Sequence, residues 1–374
     1  MPHRLVYLCD WLPPDFGAVG QYSLLFARER ATRGEEVVLA GLSSTADSVE
    51  EETVGAGAGR LRIVRLRART YDRADLRTRA LWTARTDLAL IWRLRRELRR
   101  ADEILFTGSP PFLIQLLAPL NLLLRKRLTY RITDFHPECL MAEMERPPAP
   151  LRLFHRWTIA LRRRIDRFEV LGEDQRKRLQ EIGIPSDRIV LKRDPSPVEI
   201  PPGTEPLEIP EELRGRAVLL YSGNFGVAHD HETFVEGYRR HHREGTGRVA
   251  LWLNATGAKA DRVEEILRRE GLPVHRGRPV PLELLPRLLV TPDAHLITLR
   301  DGFVGYVLPS KVYGCVQSGL PLLYVGDAGS DVHLLANKGL PAGSYHRVAV
   351  GDAAGIARAL EAIGSLHNSQ YDVK

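Results

Sequence analysis

The chain has 374 residues, with 54 Lys and Arg against 47 Asp and Glu and a formal charge of +7. This length exceeds one ordinary domain, and the 44% hydrophobic content excludes a disordered chain. Cys9, Cys139 and Cys315 are too few and too scattered for a disulfide frame or a cysteine zinc site, and they fit a reducing cytosol. The basic balance invites an anionic partner, either nucleic acid or a membrane surface. Arginine outnumbers lysine, as a GC-rich genome alone would produce.

Strand-like sequence begins at Arg4, so no signal peptide is expected. Leu5 to Cys9 is a short apolar strand, and Asp10 to Gly20 is a loop rich in Pro and Gly. Tyr22, Leu25 and Phe26 then fall at helical spacing up to Thr32, Gly34 stops that helix, and Glu36 to Ala40 is a second strand. A βαβ unit with a glycine loop at its first turn is the layout of a doubly wound domain. Gly17 and Gly20 do not spell the dinucleotide fingerprint, which disfavours a Rossmann dehydrogenase.

Residues 60–100 are dense in arginine: Arg60, Arg62, Arg65, Arg67 and Arg69 on a strand-like piece, then Arg93, Arg95, Arg96, Arg99 and Arg100 ending a long helix. Arginines suit a helix C-terminus by themselves. Read functionally, they make a surface for acidic lipid headgroups, helped by the apolar run Phe112 to Leu124 and by Arg125-Lys126-Arg127. That run is too short to span a bilayer and contains Pro119, so it would lie on a membrane. Strands at Glu103 to Thr107 and Leu128 to Thr133 follow, and the second leads into Asp134-Phe135-His136-Pro137-Glu138. An Asp, a His and a Glu past the end of a strand stand where α/β sheets place chemistry, and a histidine beside carboxylates can act as a base. The plainer reading is that Asp134 caps the next segment and His136 is hydrogen-bonded in a crevice. Strands at Phe168 to Leu171 and Ile189 to Lys192 flank a helix at Glu173 to Ile182.

Residues 193–216 are proline-rich, carry no period and read as a linker, dividing domains at 1–197 and 198–374. The pattern then restarts: a strand at Val218 to Ser222, the loop Gly223-Asn224-Phe225-Gly226, a helix at His231 to His242 and a strand at Val249 to Asn254. Further on come a helix at Asp261 to Gly271, a strand at Pro273 to His275, a helix at Leu282 to Leu289 and a last helix at Asp352 to Ile363. Between the last two helices, a buried strand, Ala294 to Leu299, runs into a loop holding Gly302 and Gly305. Pro309-Ser310-Lys311 opens a short helix that Gly319 closes, and Leu320 to Val325 resumes as a strand. A glycine loop, a helix N-terminus and a lysine thus meet at the end of a strand, which suits a pyrophosphate; an ordinary loop with a solvated lysine is the alternative. The fold class expected is α/β, with two Rossmann-like doubly wound domains facing a central cleft. No H-E-x-x-H, paired CxxC, D-x-D, P-loop or G-x-S-x-G occurs, so no metal is expected, and a pyrophosphate would be neutralised by Lys, Arg and helix N-termini. The adjacent His229, Asp230 and His231 seldom could share one ion.

The pieces LVYLCDWLPPDFGAVGQYSLLFARERATRGEEVVLAG, ITDFHPE, YSGNFGVAHDHETF and LPSKVYGCVQSGLP followed by YVGDAGSDV occur in an order that resembles retaining family 4 glycosyltransferases of the GT-B fold. The likeness is to the branch that builds cell-surface polysaccharides and O-antigens. It implies a UDP- or GDP-sugar donor bound mainly by the C-terminal domain, with no cofactor, and a glycan or lipid-linked acceptor bound mainly by the N-terminal one. It implies retention without a covalent enzyme intermediate, the leaving phosphate helping to take the acceptor proton. By position, Lys311 and Ser310 would meet the diphosphate, with Gly17, Gly20, Gly223, Asn224 and His229 in support. Asp301, Gly302, Phe303, Val304 and Gly305 would lie against the sugar, Asp327 would border the pocket, and Asp134 or His136 would face the reaction centre. Many relatives carry Arg and Lys where Asn224 and His229 stand, and a ribose-binding Glu where Gly314 stands.

A cytoplasmic enzyme at the inner membrane face, in peripheral contact with anionic lipid, is therefore expected. The runner-up is a GT-B-fold nucleotide-sugar epimerase. From another class comes a non-catalytic binder of an acidic partner. Nucleic acid itself is not expected, because the basic band has little aromatic interleaving for stacking.

Overall fold

The structure is a computed structural model that describes residues 2–15, 18–54, 59–69 and 76–371. The chain divides into two units, Met1–Arg193 and Asp194–Lys374. The first contains β1 (Arg4–Trp11), α1 (Ala18–Thr32), β2 (Glu36–Ser43), β3 (Ser48–Val54), β4 (Gly59–Arg67), α2 (Leu76–Arg93), α3 (Arg95–Arg100), β5 (Glu103–Thr107) and α4 (Leu113–Leu124). It continues through β6 (Arg127–Ile132), α5 (Glu138–Met141), α6 (Ala149–Arg162), β7 (Arg167–Val170), α7 (Glu173–Glu181) and β8 (Ile189–Leu191). Its eight strands run in the order β3-β4-β2-β1-β5-β6-β7-β8, all parallel except that β3 is antiparallel to β4. Leu5 to Cys9 and all of β5 are buried without alternation, as strands covered on both faces must be. The order reverses between β1 and β5, which sets the switch point at the loops after these strands.

The second unit contains β9 (Ala217–Asn224), α8 (Glu232–Glu244), β10 (Val249–Thr256), α9 (Ala258–Arg269), β11 (Val274–Gly277), α10 (Leu285–Leu289) and β12 (Ala294–Thr298). It ends with α11 (Lys311–Ser318), β13 (Leu322–Val325), α12 (Asp331–Gly339), β14 (Tyr345–Val348) and α13 (Ala353–Tyr371). The sheet order is β11-β10-β9-β12-β13-β14, fully parallel, with its switch point between β9 and β12. Leu219 and Tyr221 of β9 enter one apolar cluster and Val218 and Leu220 the other, so helices cover both faces. α13 packs on α8 at Gly237, where a Cβ would stand 2.4 Å from the Ile356 Cβ; the close approach requires glycine there.

Several expectations change. Gly20 is not in a loop but in the first turn of α1, pressed against the Trp11 carbonyl so closely that no side chain fits. The long helix ending at Arg100 is interrupted at Leu94 and forms α2 and α3. The span 193–216 is not free of structure. From Glu205 on it is fastened to the second unit: Arg287 donates to the Glu205 and Pro206 carbonyls, Leu207 N–H donates to Thr291 Oγ1, and Leu213 is fully buried. The arginines of β4 face an acidic strand that the sequence reading did not recognise as a strand. Arg62 pairs with Glu97 at 3.0 Å and with Glu51 at 3.7 Å, and Arg65 pairs with Glu50 at 2.6 Å. The charges of Arg62 and Arg65 are neutralised within the unit, which removes these two from any anionic surface, whereas Arg60 and Arg67 stay exposed without an ion pair among the described residues.

Candidate functional site

Two clusters occupy the carboxyl ends of the two sheets. In the second unit Tyr221 points from β9 into the interior, and its ring stacks on Phe225 with centroids 4.2 Å apart. Lys311, the first residue of α11, lays its ammonium 3.5 Å from the Tyr221 ring centroid. A Cβ on Gly223 would stand 3.9 Å from Lys311 Nζ, so the glycine loop and the lysine face each other, and φ of +108° makes Gly223 a glycine position. Lys311 as a residue is part-exposed, yet its Nζ is buried and has no hydrogen-bond partner among the described residues. Burial pushes its pKa down to about 7, while the nearby Cys315 sulfur acts weakly in the other direction. The Cys315 thiol is itself pushed up to about 12, first by burial.

His229 closes the cluster edge-on to both rings, and its Nδ1–H donates to the Thr298 carbonyl at 2.6 Å. Burial, and then the Lys311 charge, lower its pKa to about 3, so it is neutral. Lys259 donates to the carbonyls of Val227 and His229 at 2.9 and 2.6 Å and fixes the loop after β9. Arg300 N–H donates to the Ala228 carbonyl and links this loop to the one after β12. Burial, with Asp327 and Asp230 close enough to add charge repulsion, raises the pKa of Asp301. Asp327 accepts from the Gly329 N–H at 2.6 Å.

The structure thus brings Gly223, His229 and Lys311 together and places Asn224 at the end of the same strand, exposed beside Gly226. Asp301 and Asp327 share a second edge of the cluster. Gly302 is exposed in a short 3-10 turn, Val304 is half-buried, and Gly305 turns the chain at φ of +78°. Phe303, expected against the sugar, is buried among the core residues at 1% exposure, unlike the exposed Gly302 before it. Ser310 occupies the N-cap position of α11 but makes no side-chain capping bond, contrary to the capping expected from its type. Gly314 is buried in α11, where a Cβ would press on Leu289 Cδ1 at 3.0 Å. Gly17 lies outside the described residues. Thr298 Oγ1 is a further buried polar atom without a partner, at the end of β12.

In the first unit Asp10 lies in the last two residues of β1, Asp134 and Ser109 follow β6 and β5 by two residues, and Ser109 Oγ donates to the Asp10 carboxylate. Burial and then Asp10 push the Asp134 carboxyl up to about 6. Asp87 of α2 is fully buried. Among the described residues neither of its oxygens has a hydrogen-bond partner; the Phe112 backbone amide favours its ionised form without meeting bonding geometry, and burial dominates, raising its pKa to about 8. The loop Asp134–Glu138 is held by Arg162, whose guanidinium donates to both oxygens of Glu138 and, at 2.9 Å, to the His136 carbonyl, while lying 5.1 Å from the Phe135 ring. His155 joins the same carboxylate at 3.1 Å. Burial alone would raise the Glu138 pKa; Arg162 and His155 outweigh it and hold it at about 2. Glu138 is therefore the anchor of the loop, and Asp134 and His136 are the residues the anchor presents.

Sequence reading missed Tyr221, Thr298, Lys259 and Asp87. For Asp87 a signal existed: with Thr83, Leu90 and Leu94 it falls on one buried helical stripe, an acid where an apolar residue is expected. Among the described residues no three His, Cys, Asp or Glu side chains are grouped to hold a metal ion, and no helix is long and apolar enough to cross a membrane.

No family model matches the chain. Over 242 residues it is 24% identical to the probable glycosyltransferase WbjE of Pseudomonas aeruginosa, a match that covers 63% of this chain and 60% of that protein. The chain thus spans about 60% of the length of the curated relative it matches. Among solved structures it is similar to WaaG, a glycosyltransferase involved in lipopolysaccharide biosynthesis, at TM-score 0.60 and 15% identity over 97% of this chain and 90% of that one. A UDP-forming α,α-trehalose-phosphate synthase from Burkholderia vietnamiensis aligns at TM-score 0.58 and 15% identity, covering 98% and 95%. A UDP-N-acetylglucosamine 2-epimerase candidate from Listeria monocytogenes aligns at 0.56 and 13%, covering 97% and 88%. These likenesses extend over nearly whole chains and show the fold: two parallel-sheet, Rossmann-like domains of GT-B type.

Proposed function

We propose that this protein is a retaining, metal-independent glycosyltransferase of the family 4 type. It would move a sugar from a UDP- or GDP-sugar to a glycan or lipid-linked acceptor in cell-surface polysaccharide assembly at the cytoplasmic membrane face. The observation that carries the reading is the buried, unpartnered Lys311 Nζ beside Gly223 at the switch point of the second sheet. Its ammonium is held in apolar surroundings with one aromatic face and no anion, which is where an arriving diphosphate would be bound most strongly. The second unit would hold the donor, with Asp301, Gly302 and Val304 toward the sugar and Asp327 at the rim. The first unit would hold the acceptor, with Asp134 and His136 toward its hydroxyl.

In the proposed reaction the acceptor oxygen forms a bond to the anomeric carbon on the face from which the diphosphate leaves. The bond from that carbon to the phosphate oxygen breaks, its electron pair goes to the phosphate, and the acceptor proton passes to the same departing group. Lys311 stabilises the charge developed on the diphosphate. Asp134, with its raised pKa, orients the acceptor hydroxyl without being consumed.

A thermal-shift panel of UDP, GDP, ADP and their sugars tests the reading, since a ligand in large excess over its Kd stabilises by several kcal/mol. A shift with one nucleotide, lost in Lys311→Ala and unchanged by EDTA, is expected. No shift with any nucleotide would sink the donor site. Release of UDP together with an epimerised sugar, in the absence of acceptor, would replace transfer by epimerisation.

A further inference from the structure

The sequence of α6, APLRLFHRWTIALR, contains no acidic residue. Its inner face buries Thr158, Leu161 and Arg162, and its outer face presents Arg152, Leu153, Arg156 and Trp157 as one stripe at helical spacing. Leu153 is 70% exposed and Trp157 46%. Among the described residues Arg152 donates only to the Pro147 carbonyl, at 2.7 Å, and Arg156 has no ion pair. Beside the stripe, against α5, lies a pocket of ≈ 420 Å³ lined by Met141, Ala149, Arg152, Leu153, His155 and Arg156. No acid lines it. α4 packs on α6 through Gln115 Nε2–H donating to Thr158 Oγ1 and through Phe112 against Phe154, and its C-terminal end exposes Leu122 and Leu123 ahead of Arg125-Lys126-Arg127.

We propose that this face lies on an anionic phospholipid bilayer, with a lipid phosphate seated in the pocket between Arg152 and Arg156. Charge complementarity commits the occupant. Two guanidinium groups without internal anions call for external ones, and phosphate meets the planar fork bidentately. The apolar half of the stripe decides between a dissolved anion and a lipid: Leu153 and Trp157 gain nothing from solvated phosphate, and tryptophan beside arginine is the composition of a membrane interface. Arg62 and Arg65 of β4 make the contrast, because the glutamates of β3 and α3 already neutralise them. The pocket also adjoins the anchored loop: His155 lines it and is bonded to Glu138 at 3.1 Å. Docking would thus bring the membrane to the helix that holds Asp134–Glu138 in place.

Co-sedimentation of the full chain with phosphatidylcholine vesicles containing about a third phosphatidylglycerol tests this at low salt. Binding to these vesicles and not to pure phosphatidylcholine is expected. Arg152→Gln/Arg156→Gln should weaken it ~25-fold, roughly fivefold per arginine near an anionic surface. Leu153→Ser/Trp157→Ser should weaken it at least about tenfold through lost interfacial burial. Arg240→Gln/Arg243→Gln, which removes the same net charge from α8 in the other unit, should stay within about twofold. Circular dichroism confirms that each variant is folded. No binding to any vesicle, equal binding to neutral vesicles, equal loss in the α8 variant, or undiminished binding in both α6 variants would each overturn the proposal. So would release by excess inorganic phosphate at constant ionic strength, which would make the pocket a site for free phosphate.

Discussion

Arg162 and Lys311 are both cations whose charged groups are buried, one in each unit, and their surroundings are opposite. Arg162 is fully enclosed and its two terminal nitrogens are answered, only Nε lacking a hydrogen bond among the described residues: two carboxylate oxygens of Glu138, the His136 carbonyl and the Phe135 ring surround its guanidinium. Lys311 Nζ has the Tyr221 ring and no hydrogen-bond partner. Leaving a charge out of water costs several kcal/mol unless it is paired or neutralised. The first unit meets that cost with an internal anion and obtains a rigid loop. The second leaves the anion out and lowers the lysine pKa to about 7 instead. The difference separates a cation answered within its own unit from one whose anion, in the proposed function, is the donor diphosphate.

Breaking the paired cation should have the largest effect on the fold. Arg162→Met leaves Glu138 buried without its partner and should destabilise the first unit by ~3–5 kcal/mol in urea denaturation. Adding Glu138→Gln should restore part of that loss. A cost under about 1 kcal/mol would mean that the pair does not fix the loop. The pH dependence has a definite sign: Glu138 is held at about 2, below the ordinary carboxyl value, so its contribution is complete above the unfolded pKa and is lost as pH falls toward 2.

Lys311→Ala should leave the fold intact, because no hydrogen bond is removed, and should cut turnover ~10²–10³-fold, the loss seen when one preorganised donor to a developing anion is deleted. Equal losses of stability in Arg162→Met and Lys311→Ala would erase the contrast. An unaffected rate in Lys311→Ala would remove the diphosphate role.

Most of the sheet was legible in the sequence because parallel central strands are continuous apolar runs bounded by glycine loops. The Lys311 stretch was legible for the same reason, with helix-start chemistry at Pro309 and glycine at Gly319. What stayed hidden depended on partners far along the chain. SVEEETV has too many acids to read as a strand until Arg62 and Arg65 of β4 are set opposite its glutamates. α6 carries arginines throughout, and only the position of Glu138 shows that Arg162 turns inward while Arg152 and Arg156 do not. Phe303 sits in a candidate sugar loop by sequence, and only burial assigns its ring to the core.

Asp87 extends the comparison to an unpaired buried acid. Its pKa of about 8 lies above the ordinary carboxylate value, so the protonated form is favoured in the fold, and the associated stability is complete below the unfolded carboxyl value and is lost progressively as pH rises from there through about 8. Asp87→Asn copies the protonated state. It should already be stabilising at pH 5, where the unfolded carboxyl is ionised, and more so at pH 9 by a further ~1–3 kcal/mol, the penalty of a buried polar atom left without a hydrogen bond. A difference between variant and parent that is the same at both pH values would show that Asp87 finds a partner when ionised.

The smallest effect is the most direct reading of Lys311. With a pKa of about 7 the free lysine is mostly neutral at pH 8, whereas a bound diphosphate favours the ammonium. Binding of the nucleotide diphosphate at pH 8 should therefore take up a proton, and at pH 6, where the lysine is already charged, the uptake through this group should vanish. Calorimetry in buffers of different ionisation enthalpy measures the proton number directly. The uptake at pH 8 should disappear in Lys311→Met and persist in Asp327→Asn. If the variant and the parent take up the same proton, the group that titrates on binding is not Lys311, and the ligand phosphate itself becomes the source. The contrast with Arg162 would then rest on stability alone.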